Sequence, residues 1–291
     1  MYSERHTAVY TGTMAVVYFL LVAWPGFRTY SSTADNPGQP GRSNGAVMSK
    51  DAPESSVAAV LADQLVLANR ILAQKGVLDG YGHVSVRHPD NPGQFLLSRS
   101  KAPATITASD IMIFDGQGEV LGDDNRKAYL ERYIHAEIYA ARPDVQAVVH
   151  SHSLSLIPFG VTSKPLRPVY NMGAFLSPEV PIFEIRERFG DGTNLLIVNN
   201  DLGAALADSL GQQNMVLMRG HGNAVVGEDL KITVFRAVYA EMNARVQMQA
   251  LQLGDGLVTY LTEEEAEAVN LIAPTVIDRT WQLWVSELIP D

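Results

Sequence analysis

Short apolar segments separated by turn residues constrain the fold of this 291-residue chain more than any other feature. The stretch ASDIMIFDGQGEVLG (108–122) has two apolar runs around a glycine-rich turn, and NMVLMRGHGNAVVG (214–227) shows the same pattern. Such a pattern is typical of a β-hairpin, which joins antiparallel strands. No GxGxxG turn follows the first predicted strand, so a doubly wound dinucleotide-binding fold is not favoured. The chain therefore predicts an α/β domain with a largely antiparallel sheet.

Segments with apolar residues at three- and four-residue spacing predict helices between these strands. One helix begins near Ser55, a second covers 128–142, and a long one begins near Asp229. The second helix ends before Pro143, because proline disfavours helical backbone in the residue before it. The apolar stretch NLLIVNN (194–200) predicts a short strand or the edge of a helix.

Composition narrows the partners and cofactors. The net charge is -10, and acidic and basic residues are interspersed, so no basic stripe is available for a nucleic-acid backbone. The chain has no cysteine, which excludes thiolate metal sites, disulfides and cysteine nucleophiles. Any metal ion must be held by His, Asp or Glu. We expect a small-molecule substrate and no nucleic-acid partner.

The N-terminal region differs from the remainder in composition. Residues 7–27 are uncharged and mostly apolar, and residues 29–46 form a Ser/Gly/Pro/Asn-rich linker. The apolar stretch is either a signal or membrane anchor, or it belongs to an over-long start that precedes a natural Met48. We expect 1–47 to be an extension and 48–291 to be the catalytic domain. We expect a cytoplasmic protein, with membrane contact only if the apolar stretch is part of the natural chain.

Two histidines occur one residue apart in the apolar run VVHSHS (148–153). Residues two apart on a strand point to the same side, so His150 and His152 would present both imidazoles on one face. His221 lies between two glycines in the turn of the second predicted hairpin. Three histidines around a divalent ion would leave a position open for substrate, as in catalytic metal sites.

A carboxylate precedes the His-x-His strand. Glu131 and His135 lie four residues apart, which places them on one face of the helix that leads into this strand. An acid/base role for Glu131 is therefore plausible, and a solvated surface acid is the alternative.

Three stretches together resemble the class II aldolase/adducin family. They are ERYIHAEIYAARPDVQAVVHSHS (131–153), VLMRGHGNAVVG (216–227) and GYGHVSVR (80–87), and the resemblance extends from about Ser55 to Gly254. It implies a three-layer αβα sandwich with a mostly antiparallel central sheet, and commonly a homotetramer with active sites at subunit interfaces. By this resemblance His150, His152 and His221 bind one divalent ion per subunit, and Glu131 is the catalytic acid/base.

Several positions depart from the sugar-phosphate aldolases of that family. Their Ser-Ser-Glu stretch appears here as Tyr129, Leu130 and Glu131, and their Thr-Pro-Ser-Gly phosphate loop appears as 98–101 with no glycine. A phosphorylated sugar fits such a site poorly. The replacements are cationic, hydroxylic or aromatic, which suits a planar carboxylate. The predicted substrate-binding residues are His83, Arg87, Ser98, Arg99, Lys101 and Tyr129.

The variant motifs resemble the branch of the family that decarboxylates dihydroxyphthalate-type aromatic acids and ring-fission products. The sequence therefore predicts a metal-dependent carbon-carbon lyase, with a decarboxylase favoured over an aldolase for an unphosphorylated hydroxy-carbonyl substrate. An iron-dependent oxygenase and an adducin-like interaction module remain alternatives. Zinc is the expected metal, although manganese, cobalt and iron also accept imidazole ligands.

Overall fold

The computed structural model describes residues 57–272 and 275–288. The apolar stretch 7–27 and the predicted domain boundary at 47 lie outside these residues. Within them, the sequence forms one sheet with helices on both faces.

The sheet has seven strands among the described residues. They are β1 (His83–Arg87), β2 (Phe95–Ser98), β3 (Ile111–Phe114), β4 (Ala147–Ser151), β5 (Ile182–Phe183), β6 (Met215–Met218) and β7 (Gly222–Gly227). Their spatial order is β3-β2-β1-β4-β7-β6-β5. Every neighbouring pair is antiparallel except β5 and β6, which are parallel. The sheet is thus mixed but mostly antiparallel, as predicted.

Eight α-helices are found in the described part of the chain. They are α1 (Val57–Gln74), α2 (Arg132–Ala141), α3 (Ile157–Val161), α4 (Arg186–Phe189), α5 (Asn200–Leu210), α6 (Leu230–Leu253), α7 (Glu263–Ile272) and α8 (Ile277–Glu287). The side chains of Asn199 and Asp229 cap α5 and α6, because each accepts a backbone N–H of the first turn. The predicted start of the long helix near Asp229 is therefore confirmed.

Alternating side chains of the strands supply two separate cores. Val84 and Val149 point to the face that α1, α6 and α8 cover. Leu97 and Val148 point to the other face, which α2 and α5 cover. Full burial of each such aliphatic side chain stabilises the fold by about 1.5 to 3 kcal/mol. The predicted three-layer αβα sandwich is confirmed.

Three local predictions change in detail. In the first predicted hairpin, the second strand is a single bridge between Phe114 and Val120. The helix predicted over 128–142 begins at Arg132, so Glu131 lies immediately before its first turn. The stretch 194–200 forms no strand, and helix enters it only at Asn200. Leu195 there adopts a left-handed backbone conformation with φ of 68°, which ends any regular run.

Helix α1 is long and apolar enough to cross a bilayer by length and composition, and no other described helix meets that test. Its residues Leu65, Ile71 and Leu72 are fully buried against the sheet core. The apolar face of α1 is therefore accounted for by packing within the domain.

Candidate metal centre and active site

Three histidines meet where β4 ends beside the β6–β7 turn. His150 is in β4, His152 directly follows that strand, and His221 precedes β7. The Nε2 atoms of His150 and His152 are 3.2 Å apart, and those of His152 and His221 are 3.1 Å apart. The predicted metal ligands are thus brought together at one point.

Glycine is required beside His221. Gly220 has a φ of 66°, a left-handed conformation that L side chains rarely adopt. A Cβ atom at Gly222 would lie 2.2 Å from the Ser151 carbonyl oxygen, so only glycine lets β7 approach β4 this closely. The GHG sequence is therefore explained by the geometry of the turn.

The second ring nitrogens show which form these imidazoles take. Nδ1 of His150 lies 3.0 Å from the Asn223 carbonyl oxygen, and Nδ1 of His221 lies 2.9 Å from the Leu195 carbonyl oxygen. A carbonyl can only accept, so both Nδ1 atoms carry the proton and both Nε2 atoms present a lone pair. If His152 Nε2 is also unprotonated, three lone pairs converge at about 3 Å, and they repel one another unless a cation lies between them. The cluster therefore fits a divalent ion, with backbone carbonyls that orient its ligands.

Glu131 completes this group. One ligand atom from each of the four side chains lies within 4.8 Å of the others. Glu131 Oε2 is 3.4 Å from Nε2 of His221 and 3.6 Å from Nε2 of His150. Burial acts to raise the pKa of the Glu131 carboxyl, but positive charge at the cluster, carried by protonated His150 and His221 or by a bound cation, outweighs it and lowers that pKa. The carboxylate is ionised at neutral pH.

The segment 195–197 orients one histidine of the cluster, His221, and the carboxylate of Glu131. The Leu195 carbonyl accepts from His221, and the Ile197 amide donates to Glu131 Oε1 over 2.9 Å. The left-handed conformation of Leu195 lies between these two contacts, and such outliers persist where surrounding structure holds them. No sequence pattern indicated this segment as part of the site.

A cavity of about 600 Å³ opens beside the cluster. Glu131 and His152 lie in its wall with His83 and Tyr129. The rings of His83 and Tyr129 are in contact, with centroids 4.5 Å apart. The Tyr129 hydroxyl donates to the Lys101 carbonyl oxygen and is also 3.3 Å from Ser98 Oγ. Four of the predicted substrate residues thus lie in or directly behind the wall of this cavity.

Arg99 and Lys101 are engaged by a common partner. Arg99 Nε lies 2.6 Å from Asp110 Oδ1, and Lys101 Nζ lies 2.7 Å from Asp110 Oδ2. The hydrogen bonds from Lys101 and Arg99 hold the pKa of Asp110 well below its usual range. Lys101 lines the cavity and Arg99 does not. Both cations are therefore offset by a buried carboxylate.

Arg87 lies apart from the cavity. Its guanidinium donates to four backbone carbonyls, and its burial is nearly complete at 9% exposure. It also lies over the Tyr139 ring, 4.7 Å from the centroid. The guanidinium lies between β1 and the end of α2, and it hydrogen-bonds to the segment that connects α2 to β4.

Further side chains at the site had no role assigned from sequence. Lys127 lines the cavity and forms no ion pair within the described residues. Tyr81, which is 69% exposed, also lines it and contacts His152. His135 hydrogen-bonds to His83 from behind. His135 and Tyr139 lie one turn apart on α2, and this spacing is the sequence signal that could have identified the polar contact behind His83.

Burial keeps three imidazoles at the site neutral, namely those of His83, His135 and His152. It lowers the pKa of His83 well below the ordinary value, and it lowers that of His135 to about 3. Burial and the neighbouring histidines lower the pKa of His152 to about 4. Neutral imidazole is the form that binds metal ions.

Known proteins resemble this chain in sequence and in structure. A family model described as "Class II Aldolase and Adducin N-terminal domain" matches residues 63–248. Decarboxylase tropJ of Talaromyces stipitatus is 37% identical over 239 residues, covering 75% of this chain and 90% of that protein. The 3,4-dihydroxyphthalate decarboxylase of Arthrobacter keyseri is 29% identical over 228 residues, covering 72% and 86%. Among solved structures, L-fuculose 1-phosphate aldolase from Glaciozyma antarctica superimposes with a TM-score of 0.64 at 26% identity, covering 79% and 90%.

Proposed function

This chain belongs to the class II aldolase and adducin family, and we propose that it is a metal-dependent decarboxylase of a hydroxylated aromatic carboxylate or a related ring-fission product. The observation that carries the proposal is the convergence of three imidazole Nε2 atoms and one carboxylate at a cavity. The decarboxylases named among its relatives favour this reaction over an aldol cleavage.

His150, His152 and His221 would hold the ion through Nε2. A divalent cation bound by three neutral imidazoles keeps its full charge, and it would stabilise the electron pair that carbon-carbon cleavage leaves on the substrate. The remaining work falls to side chains of the chain itself.

Glu131 transfers the proton in this proposal. Its Oε1 is held by the Ile197 amide, so Oε2 is the atom that can exchange a proton. The ionised carboxylate takes the proton of a substrate hydroxyl when the substrate binds. The bond between the ring carbon and the carboxylate carbon then breaks. Carbon dioxide leaves, and the electron pair of the broken bond stays on the ring carbon. Glu131 Oε2 gives the proton to that carbon, and the product oxyanion takes a proton from solvent.

The cavity wall orients the substrate. Tyr129 offers an aromatic face next to His83, at a position where the sugar-phosphate aldolases have a serine. Lys127 and Lys101 line the same cavity and would attract the substrate carboxylate. The Lys127 charge is the more available one, because Lys101 is already paired with Asp110.

Three finer statements belong to the same proposal. We assign zinc as the metal, because it accepts three imidazole ligands and leaves a fourth position open for substrate. We assign a homotetramer, which is common in the family, and a cytoplasmic location. Metal analysis of the purified protein, light scattering after size exclusion and fractionation of cells that express the full chain test these assignments separately.

Carbon dioxide release tests the reaction. The zinc-loaded full chain is incubated with 3,4-dihydroxyphthalate and with a panel of hydroxybenzoates, before and after removal of metal by a chelator. We expect release that is lost without metal and restored by adding it. His221→Ala should lose both zinc and activity, whereas His88→Ala, at a histidine outside the cluster, should keep both.

Two results would contradict the decarboxylase. Stoichiometric zinc without carbon dioxide release, together with aldehyde release from unphosphorylated hydroxy-carbonyl compounds, would identify an aldolase. Failure of the folded protein to bind any divalent ion would favour an interaction module without catalysis.

A further inference from the structure

A buried row of four polar side chains joins β1 to α2 behind the cavity. His83 Nδ1 lies 2.6 Å from His135 Nε2, and His135 Nδ1 lies 2.6 Å from Ser85 Oγ. Ser85 Oγ lies 2.7 Å from the Tyr139 hydroxyl. We name this row, His83-His135-Ser85-Tyr139, the polar ladder. It forms because residues two apart on a strand and four apart on a helix each share one face.

The ladder has a direction that its far end determines. Tyr139 is buried, and Ser85 Oγ is the one hydrogen-bond partner of its hydroxyl within 57–272 and 275–288. The phenol can satisfy its proton only by donating to Ser85, since the reverse bond would leave a buried donor unpaired. Ser85 must then donate to His135 Nδ1. His135 consequently carries its proton on Nε2 and donates it to His83.

This direction determines the tautomer of His83. Its Nδ1 accepts from His135, so its own proton is on Nε2. Nε2 of His83 has no hydrogen-bond partner in the described part of the chain, and the ring lines the cavity near Glu131. The free N–H is therefore available to a bound molecule.

We infer that the polar ladder holds His83 as a neutral Nε2–H donor to an anionic oxygen of the substrate, and that Tyr139 is a positioning residue that acts through Ser85 and His135. The inference rests on the proposed function, because it assigns a role to one oxygen of the hydroxylated carboxylate.

The chemistry selects which oxygen this is. During decarboxylation, negative charge leaves the carboxylate and accumulates on the ring and its hydroxyl-derived oxygen. A donor speeds the reaction only if it stabilises the transition state more than the bound substrate. The Nε2–H of His83 therefore faces the oxygen that gains charge. An unprotonated Nε2 would repel that oxygen and would compete with Glu131 for its proton.

The tautomer can be measured without turnover. In the full chain with histidine labelled with nitrogen-15 and loaded with zinc, a protonated ring nitrogen resonates far upfield of one with a lone pair. The His83 signals are identified by their loss in His83→Asn. We expect a protonated Nε2 whose signal shifts when 2,3-dihydroxybenzoate is added. Tyr139→Phe, which removes the terminal donor, should give a mixture of both tautomers.

Kinetics of the same variant test the role in catalysis. We expect Tyr139→Phe to lower kcat about tenfold, with KM and zinc content unchanged, because one fixed hydrogen bond in the transition state is lost. Tyr133→Phe is the matched control, because Tyr133 lies on the same helix. Its hydroxyl hydrogen-bonds to Glu119 and Arg132, away from the cavity. The control variant should keep the wild-type kcat and the His83 tautomer.

A protonated Nδ1 on His83 in the wild-type protein would overturn the inference. So would a Tyr139→Phe variant whose kcat equals that of the wild type. If the wild-type protein releases no carbon dioxide from any acid, the proposed function fails. In that case the tautomer, and its response to 2,3-dihydroxybenzoate, still decide the inference about the ladder.

Discussion

Replacement of Glu131 by glutamine separates proton transfer from metal binding at this site. The glutamine carbonyl oxygen can still accept from the Ile197 amide, which donates to Glu131 Oε1 over 2.9 Å. Its amide nitrogen would then occupy the position of Oε2, 3.4 and 3.6 Å from the ligand atoms of His221 and His150. The side chain keeps its size and place but, unlike the carboxylate, cannot accept a proton and pass it on.

The expected loss follows from the role of that oxygen. A positioned acid/base group contributes about a hundredfold to ten-thousandfold in rate, which is about 3 to 5 kcal/mol of barrier. We expect Glu131→Gln to lower kcat by that factor and to leave KM within about threefold, since the substrate contacts of the cavity wall are unchanged. Zinc should stay stoichiometric, because its three imidazole ligands remain.

The assay measures carbon dioxide release and zinc content in the same protein samples. Glu119→Gln is the matched control, because this carboxylate is exposed and pairs with Arg132 outside the cavity. It should keep full activity. If Glu131→Gln retained about a tenth or more of the wild-type kcat with full zinc, proton transfer would have to be assigned to another group.

Further predictions concern the metal, pH and Arg87. Zinc should raise the Tm of the metal-free protein, and His150→Ala should abolish this rise. Zinc at a hundredfold excess over its Kd stabilises the folded state by about 2.7 kcal/mol, and thermal unfolding with and without zinc measures this stabilisation. The metal-free protein should lose stability as pH falls from about 6.5 to about 4, because burial lowers the pKa of His135 to about 3 and that of His152 to about 4, so that only the unfolded chain takes up protons there. Each histidine contributes a slope of about 1.4 kcal/mol per pH unit to the free energy of unfolding. Urea unfolding with a chelator between about pH 5 and 7 measures this slope, and an unfolding free energy that does not change with pH would contradict the prediction. Arg87→Leu should destabilise the fold by about 4 kcal/mol, because several buried carbonyls lose their donor. The KM of this variant should stay unchanged. A raised KM with normal stability would instead make Arg87 a substrate contact.

The convergence of His150, His152 and His221 could be predicted from sequence because its patterns are local. A His-x-His pair on a strand projects to one side whatever the strand packs against, and Gly220 of the GHG turn is needed for its own left-handed backbone. The family and the three-layer fold, both predicted, are confirmed. Glu131 was expected within a helix, but α2 begins four residues later than predicted, so Glu131 lies just before its first turn and beside the cluster.

The partners of the cationic residues could not be predicted in the same way. Arg99 and Lys101 were interpreted as contacts for a carboxylate, and the structure supplies that carboxylate from Asp110 of the chain itself. The antiparallel pairing of β2 with β3, in which Ser98 lies opposite Ile111, brings Asp110 back to them after a 3-10 turn. The carbonyls that bind Arg87 likewise come from separate segments of the chain.

The polar ladder shows how such tertiary pairing can specify a catalytic group. Ser85 and Tyr139 lie on elements that the sequence predicts correctly, yet neither residue carries a signal of function when taken alone. Their effect arises because β1 and α2 pack with polar side chains facing each other, so a hydroxyl buried at one end determines which nitrogen of His83 is protonated at the other. A substitution of Tyr139 is therefore expected to act at the cavity without contacting any bound substrate. Its consequence would be a changed reaction rate at unchanged affinity, which distinguishes an ordered proton network from simple packing of the core.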